Sequence, residues 1–335
     1  MLEALILLSF TFYFLPMLLA ILLDSKLGDP TILGHPIIFF GRLIGWGEKR
    51  FNRGGYRRLK GTLYNGLLVG LTLFLSWYLL EHLLSLGSLG QMVALLLATV
   101  LCFYMLSGKT LIDEVSAVFR EVDRELEAGR RQVARIVGRD TAQLSAQEVR
   151  TAALETLAEN LSDGVVGPIL SWALLGTPGI LTYKMINTQD SMVGYLNERY
   201  RDYGYFSAKL DDLANLLPSR LTAVLMLLSA GRLDLLSKTF RHGRRHLSPN
   251  SGYPEAALAL MLGCRFGGPH DYFGEVVDKP FIGEEDRPLT DEDLQRALSI
   301  TRRTELLALV VSLVIRALIL LGLSLLFLVL LFSLG

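Results

Sequence analysis

The stretch ALETLAENLSDGVVGP, residues 153–168, places Glu155, Glu159 and Asp163 four residues apart, with Asn160 among them, just before the chain turns apolar. Four residues carry a 3.6-residue helix about 40° past a full turn, so the three carboxylates share one face. Such a face is either solvated surface or an oxygen-ligand site for Mg²⁺, which takes one or two carboxylates together with substrate phosphates. Its position at the edge of an apolar segment favours the site, because charge there meets more than water. SAQE, residues 145–148, reads as a capping box with Ser145 at the N-cap and Glu148 at N3, and it starts the helix that carries the stripe. Gly164 is expected to end that helix.

Four further clusters carry polar chemistry. INTQDSMVGYLNERYRDYG, residues 186–204, gathers Asn187, Asp190, Ser191, Asn197, Arg199 and Arg201 among tyrosines whose rings suit a pocket wall. A guanidinium can bind phosphate or carboxylate bidentately, so Arg199 and Arg201 are the expected anion clamps. In KLDDLANLLPSR, Asp211, Asp212 and Asn215 lie one helical turn apart, which equally fits capping of a following helix. HLSPNSGYPEA holds His246, Ser248, Asn250, Ser251 and Glu255, and reads as a fixed loop entering a helix whose free N–H groups suit an anion. GDPTILGHP supplies Asp29 and His35. His242 and His246 are one turn apart, but the cations of HGRRH argue against zinc. No P-loop, HExxH, nucleophile elbow or dinucleotide fingerprint occurs.

These clusters must be positioned by a membrane domain. The chain of 335 residues is 51% hydrophobic yet 20% charged, a mixture expected of an integral membrane protein with sizeable polar parts. Lys plus Arg equals Asp plus Glu at 33 each, so nothing in the charge implies nucleic acid. Apolar runs at 2–23, 63–84, 89–106 and 306–334 are long enough to span. The first run carries Glu3 where a signal peptide has basic residues, and is expected to stay attached. Two weaker stretches, 165–183 and 213–230, contain Gly, Pro, Asn and Arg and are expected to be re-entrant or half-buried, since such residues at depth need protein or water around them. Eight Lys or Arg between the first two spans, against none in 85–88, put 24–62, 107–164 and 231–304 in the cytoplasm. With only two cysteines, neither a disulfide nor a Cys metal site is expected. The expected fold is a single all-α membrane domain, 1–335, with a polar cytoplasmic face.

Together LLDSKLGDPTILGHP, RIVGRDT, AALETLAENLSDGVVGP, KMINTQDSMVGYLNERYRDYG, LDDLANLLPSRLTA, HLSPNSGYPEAALA and RFGGPHDYFGE resemble, in order and phrasing, the adenosylcobinamide-phosphate synthase family, the CobD/CbiB integral membrane proteins of cobalamin biosynthesis. The likeness covers about residues 20–300. It departs from the family pattern in lacking a basic residue after GHP and in carrying Gln189 within NTQD. The resemblance implies a ligase of the inner membrane that uses ATP and Mg²⁺. It would join the ring D propionate of adenosylcobyric acid to aminopropanol or its phosphate, with other membrane-associated cobalamin-assembly enzymes as partners. On the matching motifs, Glu155, Glu159, Asp163 and Asp190 would bind Mg²⁺, and Arg199 and Arg201 phosphate. His246, Ser248, Asn250 and Ser251, with Asp212, Ser191 and Glu255 nearby, would shape a nucleotide or aminopropanol phosphate pocket. Asn160, Asn187 and Asn197 would bond the corrinoid amides, and Asp29 and His35 would position the carboxylate or accept the amine proton. A competing expectation is an intramembrane Mg²⁺-dependent prenyltransferase, whose Asp-rich patterns NTQD and LDDLAN faintly resemble. That class is almost entirely transmembrane helix, unlike this chain.

Overall fold

A computed structural model describes residues 11–29, 34–272 and 275–334. The expected span at 2–23 therefore begins outside the described residues. Its inner part forms α1 (Leu15–Leu27), with Pro16 in the first turn, where a missing N–H goes unnoticed. α2 (Pro36–Phe51) is amphipathic and starts at His35, whose Nδ1 accepts the Ile37 N–H at 3.2 Å. α3 (Arg57–Ser85) and α4 (Gly87–Tyr104) form a tight antiparallel pair, turning at Gly87 (φ 77°). α5 (Gly108–Arg124) and α6 (Leu126–Val133) lie against each other beyond the end of α4. α7 (Ala146–Leu161) begins with the expected capping box: Ser145 Oγ accepts from the Glu148 N–H and Glu148 accepts from the Ser145 N–H.

Gly164 does not end α7. The chain widens into a single π-helical turn, Ser162–Val166, and continues into α8 (Gly167–Val193). A carbon added at Gly164 would fall 2.3 Å from Ser107 Oγ, so the glycine serves close packing there instead of a stop. α8 is a helical hairpin. At Gly176 (φ 68°, ψ −156°) the helix breaks, and a carbon on Gly179 would lie 2.3 Å from the Ser171 carbonyl, eight residues back. In a continuous helix those positions stand about 12 Å apart. Gly167 likewise meets the Tyr183 hydroxyl, so the two arms run side by side and both open at the same end. The expected re-entrant stretch 165–183 is this hairpin, and its two mouths fall next to Asp163 and Asp190.

α9 (Tyr205–Ala214) and α10 (Leu216–Ser229) follow, then α11 (Leu236–Gly243) and α12 (Gly252–Leu262). The stretch 213–230 is largely α10, at 14 residues too short to cross a 30 Å core. β1 (Arg265–Tyr272) and β2 (Glu275–Gly283) pair antiparallel, with an irregularity between Phe266 and Gly268. This hairpin is a small addition to the expected all-helical class. α13 (Asp291–Leu334) closes the chain with 44 residues.

Among the described residues, four helical segments are long and apolar enough to cross a membrane: Arg57–Ser85, Gly87–Arg124, Ala146–Val193 and Asp291–Leu326. Only 6% of the apolar window of the first and 11% of the last is buried, against 83% for the segment containing the hairpin. The outer helices present their apolar sides to lipid, and the hairpin is the interior of the bundle, packed on α2, α3, α9 and α13. Gln189, the residue out of pattern, is fully buried. It donates to the Asn65 carbonyl at 3.1 Å and accepts from Ser207 at 3.4 Å, tying the hairpin to α3 and α9.

Candidate functional site

The mouth of the hairpin opens into a cavity of about 430 Å³. Glu159 reaches it from α7, Asp163 from the π turn, Asp190 from the returning arm of α8, and Asp211 and Asp212 from α9. Ser248, Asn250 and Ser251 close one side, while Arg201 and Lys209 supply positive charge. Tyr195, Tyr200 and Tyr205 add the aromatic wall. A π turn adds a residue to one helical turn, and here it carries Asp163 into the cavity while α7 stays fixed by its capping box.

The loop before α12 is rigid for identifiable reasons. Ser248 Oγ accepts the Asn250 and Ser251 N–H groups at 3.2 and 3.3 Å, and Asn250 Nδ2 donates to the Asp212 carbonyl at 2.8 Å. Asn250 Oδ1 accepts from Arg220 at 3.1 Å. Ser251 Oγ donates to Glu159 Oε1 at 2.8 Å. Deeper in, the Tyr183 hydroxyl donates to Asn215 Oδ1 at 2.5 Å, and Asn215 Nδ2 donates to Asp211 Oδ2 at 2.9 Å. Burial pushes the Asp211 carboxyl up to about 6, opposed by its Asn215 and Asn187 bonds and helped by the charges of Asp212 and Glu159. Asp211 and Asp212 thus sit inside α9 and do not cap the helix after it.

Glu155 belongs elsewhere. It faces Arg139, 3.0 Å away with side chains only 12% and 4% exposed, and accepts the Gly267 N–H at 2.7 Å where the β hairpin is irregular. The stripe is therefore divided: Glu159 and Asp163 line the cavity, and Glu155 anchors the hairpin β1–β2. Arg199 is also diverted, donating through Nε and Nη2 to Glu48 at 3.0 Å. Only Arg201 of the two expected clamps lines the cavity. Asn160 bonds back to the Thr156 carbonyl, Asn187 reaches Asp211, Ser191 bonds the Asn187 carbonyl, and Asn197 accepts the Tyr200 N–H. Asn160, Ser191 and Asn197 therefore make local helix and turn contacts. His246 and Glu255 lie 3.7 Å apart, each 7% exposed. Burial lowers the imidazole and raises the carboxyl well above its ordinary value.

Asp29 lines a second, broader cleft of about 630 Å³ between the end of α1 and α5–α6, together with Arg120, Arg131 and Arg135, and His35 lies beside Asp29 outside that lining. The Asp29 N–H donates to Thr110 Oγ1 at 2.8 Å. His35 Nδ1 is occupied by the Ile37 N–H, which leaves the proton on Nε2, 3.8 Å from Asp29 Oδ1. His35 is thus the cap of α2, with its Nε2 turned toward Asp29. Lys184, on the returning arm of α8, lies close enough to feel both Asp29 and Asp163, and so connects the two polar regions. Sequence reasoning passed over Lys184 and Tyr183; a lysine inside an apolar helical stretch was the available signal.

Among the described residues, no group of three or more His, Cys, Asp or Glu is arranged to hold a metal ion. The cavity carboxylates do lie within electrostatic range of one another, Asp163 with Glu159 and Asp211, and Asp190 with Glu159, Asp211 and Asp212. That donor set suits Mg²⁺ arriving on a phosphate and keeping its waters, with one or two protein carboxylates as ligands.

A helical membrane bundle with a re-entrant hairpin and an acidic, arginine-bearing cavity at its mouth describes a class of membrane enzyme site. Residues 17–301 match the CobD/Cbib protein family, and the chain belongs to that family. It is 41% identical over 319 residues to the cobalamin biosynthesis protein CobD of Brucella anthropi, covering 89% of this chain and 95% of that one. It is 43% identical over 279 residues to the CobD protein of Geobacter metallireducens (81% and 87%), and 41% over 298 residues to that of Halalkalibacterium halodurans (86% and 91%). No solved structure matches.

Proposed function

We propose that this chain acts in cobalamin biosynthesis and forms the amide bond between the ring D propionate of adenosylcobyric acid and aminopropanol or its phosphate, consuming ATP. The observation that carries the reading is convergence. Glu159, Asp163, Asp190, Arg201, Asp212 and Ser251, from motifs spread over almost a hundred residues, line one cavity in a member of the CobD/Cbib family.

A carboxylate is a poor electrophile, so its oxygen first attacks the γ-phosphorus of ATP, ADP leaves, and an acyl phosphate results. The amine then attacks the acyl carbon, and phosphate departs. One or two of the Glu159, Asp163 and Asp190 carboxylates would hold Mg²⁺ arriving on the nucleotide, which would supply charge neutralisation, while Arg201 and Lys209 neutralise phosphate oxygens. The Ser248–Ser251 loop, rigid through its own hydrogen bonds, orients the phosphate. Asp29 accepts the proton that the attacking ammonium must lose, its backbone fixed by the bond to Thr110 Oγ1 and His35 Nε2 3.8 Å from its carboxylate. Lys184 stands between the two regions. The positive-inside pattern supports a cytoplasmic orientation for this face.

The test is purified protein with adenosylcobyric acid, ATP, Mg²⁺ and each candidate amine, read by mass. Product with the added mass of the amine less water supports the reading. ATP-independent product, or none with any amine, sinks it.

A further inference from the structure

At the tip of the hairpin, far from the acidic mouth, stands Arg316 of α13. It lies beyond the residues matched to the family. Thirteen residues of helix separate Asp163 from Gly176, which places the tip about 20 Å into the bundle. Arg316 Nη2 would lie 3.1 Å from a carbon added at Gly176, and the guanidinium sits 5.5 Å from the Tyr13 ring and 5.9 Å from that of Trp172. Its Nε is buried without a hydrogen-bond partner, and among the described residues Arg316 makes no salt bridge.

The guanidinium borders a cavity of about 290 Å³ whose other walls are mostly apolar, including Trp77, Leu84, Leu175 and Leu323. Trp77 and Leu84 belong to the last three turns of α3, so the cavity reaches the end of the bundle opposite Arg57. Leu175 and Leu323 are 58% exposed, which leaves the cavity open to acyl chains. One carboxylate, Glu81, lines it, yet stands outside ion-pair distance of Arg316. An ionised side chain within an apolar bundle pairs with an anion or another polar group where one is within reach. The site joins an unpaired cation to an apolar, lipid-facing wall and to aromatic rings of the kind found at membrane interfaces.

We propose that Arg316 and the broken helix at Gly176 bind a phospholipid of the leaflet opposite the acidic cavity, the phosphate on the guanidinium and an acyl chain along the exposed leucines. The site is independent of the amide-forming reading.

The test begins with wild-type protein stripped of lipid in mild detergent. Adding phosphatidylglycerol should raise its thermal midpoint by several degrees, whereas diacylglycerol, which lacks the phosphate, and inorganic phosphate should not. Native mass spectrometry of protein purified with minimal washing should show one retained phospholipid, with occupancy at least tenfold lower in Arg316→Gln and unchanged in Glu81→Gln. Equal shifts with diacylglycerol, or equal lipid occupancy in Arg316→Gln, would overturn the proposal. A shift with inorganic phosphate alone would make the site an anion site and not a lipid site. If Glu81→Gln lowers stability as much as Arg316→Gln with no lipid retained by wild type, Arg316 is paired internally and the proposal is also overturned. The wild-type arms stand even if Arg316→Gln does not fold.

Discussion

Ser251 Oγ donates to Glu159 Oε1 at 2.8 Å, a bond between residues 92 positions apart that ties the loop before α12 to the middle of the acidic helix. Glu159→Gln preserves an oxygen for that bond and removes only the charge. Folding should survive while turnover falls at least tenfold, about 1.4 kcal/mol in the transition state, and the rate curve should move to higher Mg²⁺. Overlapping curves for mutant and wild type in matched detergent would make Glu159 ordinary surface.

Glu155, one turn earlier, should behave in the opposite way. Its partner Arg139 is buried, and removing one member of a buried pair typically destabilises by about 3–5 kcal/mol. Glu155→Gln should therefore lower the thermal midpoint sharply, yet keep activity per folded molecule within about twofold at low temperature. A large loss of rate in well-folded Glu155→Gln would return Glu155 to the chemistry.

The contrast shows what the sequence could and could not say. Ser145 and Glu148 announce their capping box because both partners lie within one turn, and the breakers at Gly176 and Pro178 announce the hairpin. Nothing in periodicity announces that Glu155 turns to Arg139 or Arg199 to Glu48, because those pairings depend on how distant elements dock. The π turn is silent for a related reason. Its extra residue is paid for by packing, as at Gly164 against Ser107, and not by a local signature.

Asp211 gives stability a pH dependence. Its folded pKa, about 6, lies above the ordinary 3.8, so the proton is held more tightly in the folded state. The stabilising contribution is complete below about pH 3.8 and is lost as pH rises to about 6, a decline of roughly 3 kcal/mol from this group. Unfolding followed in detergent with chelator between pH 4 and 7 should show that slope, and Asp211→Asn should flatten it. An unchanged slope in the variant would assign the effect to other groups.

Gly204 lies where a side-chain carbon would fall 1.6 Å from the Val193 carbonyl. Gly204→Ala must move the segment that carries Tyr200, Arg201 and Tyr205 into the cavity wall. A loss of about 1–3 kcal/mol in stability, with a raised KM for the phosphate-bearing substrate, is expected from unfolding and steady-state measurements.

Cys102 and Cys264 are both buried, which leaves the protein silent to surface thiol reagents. Gly138→Cys adds a thiol at an exposed position in the segment 107–164. Labelling of intact cells by a membrane-impermeant reagent should fail, and labelling of inverted vesicles should succeed. The reverse result would invert the orientation.

The π turn at Ser162–Val166 acts as a phase setter for the rest of the chain. One residue is worth about 100° of rotation on a helix. Losing one residue there would leave α7 clamped at its capping box and swing the whole re-entrant hairpin around its axis, carrying Asp190 and Lys184 out of line with Glu159. The exposed connections 53–56 and 284–286 can change length without such an effect. Insertions and deletions among related chains should therefore collect in those connections and avoid these five positions, which hold the angular alignment of the two halves of the site.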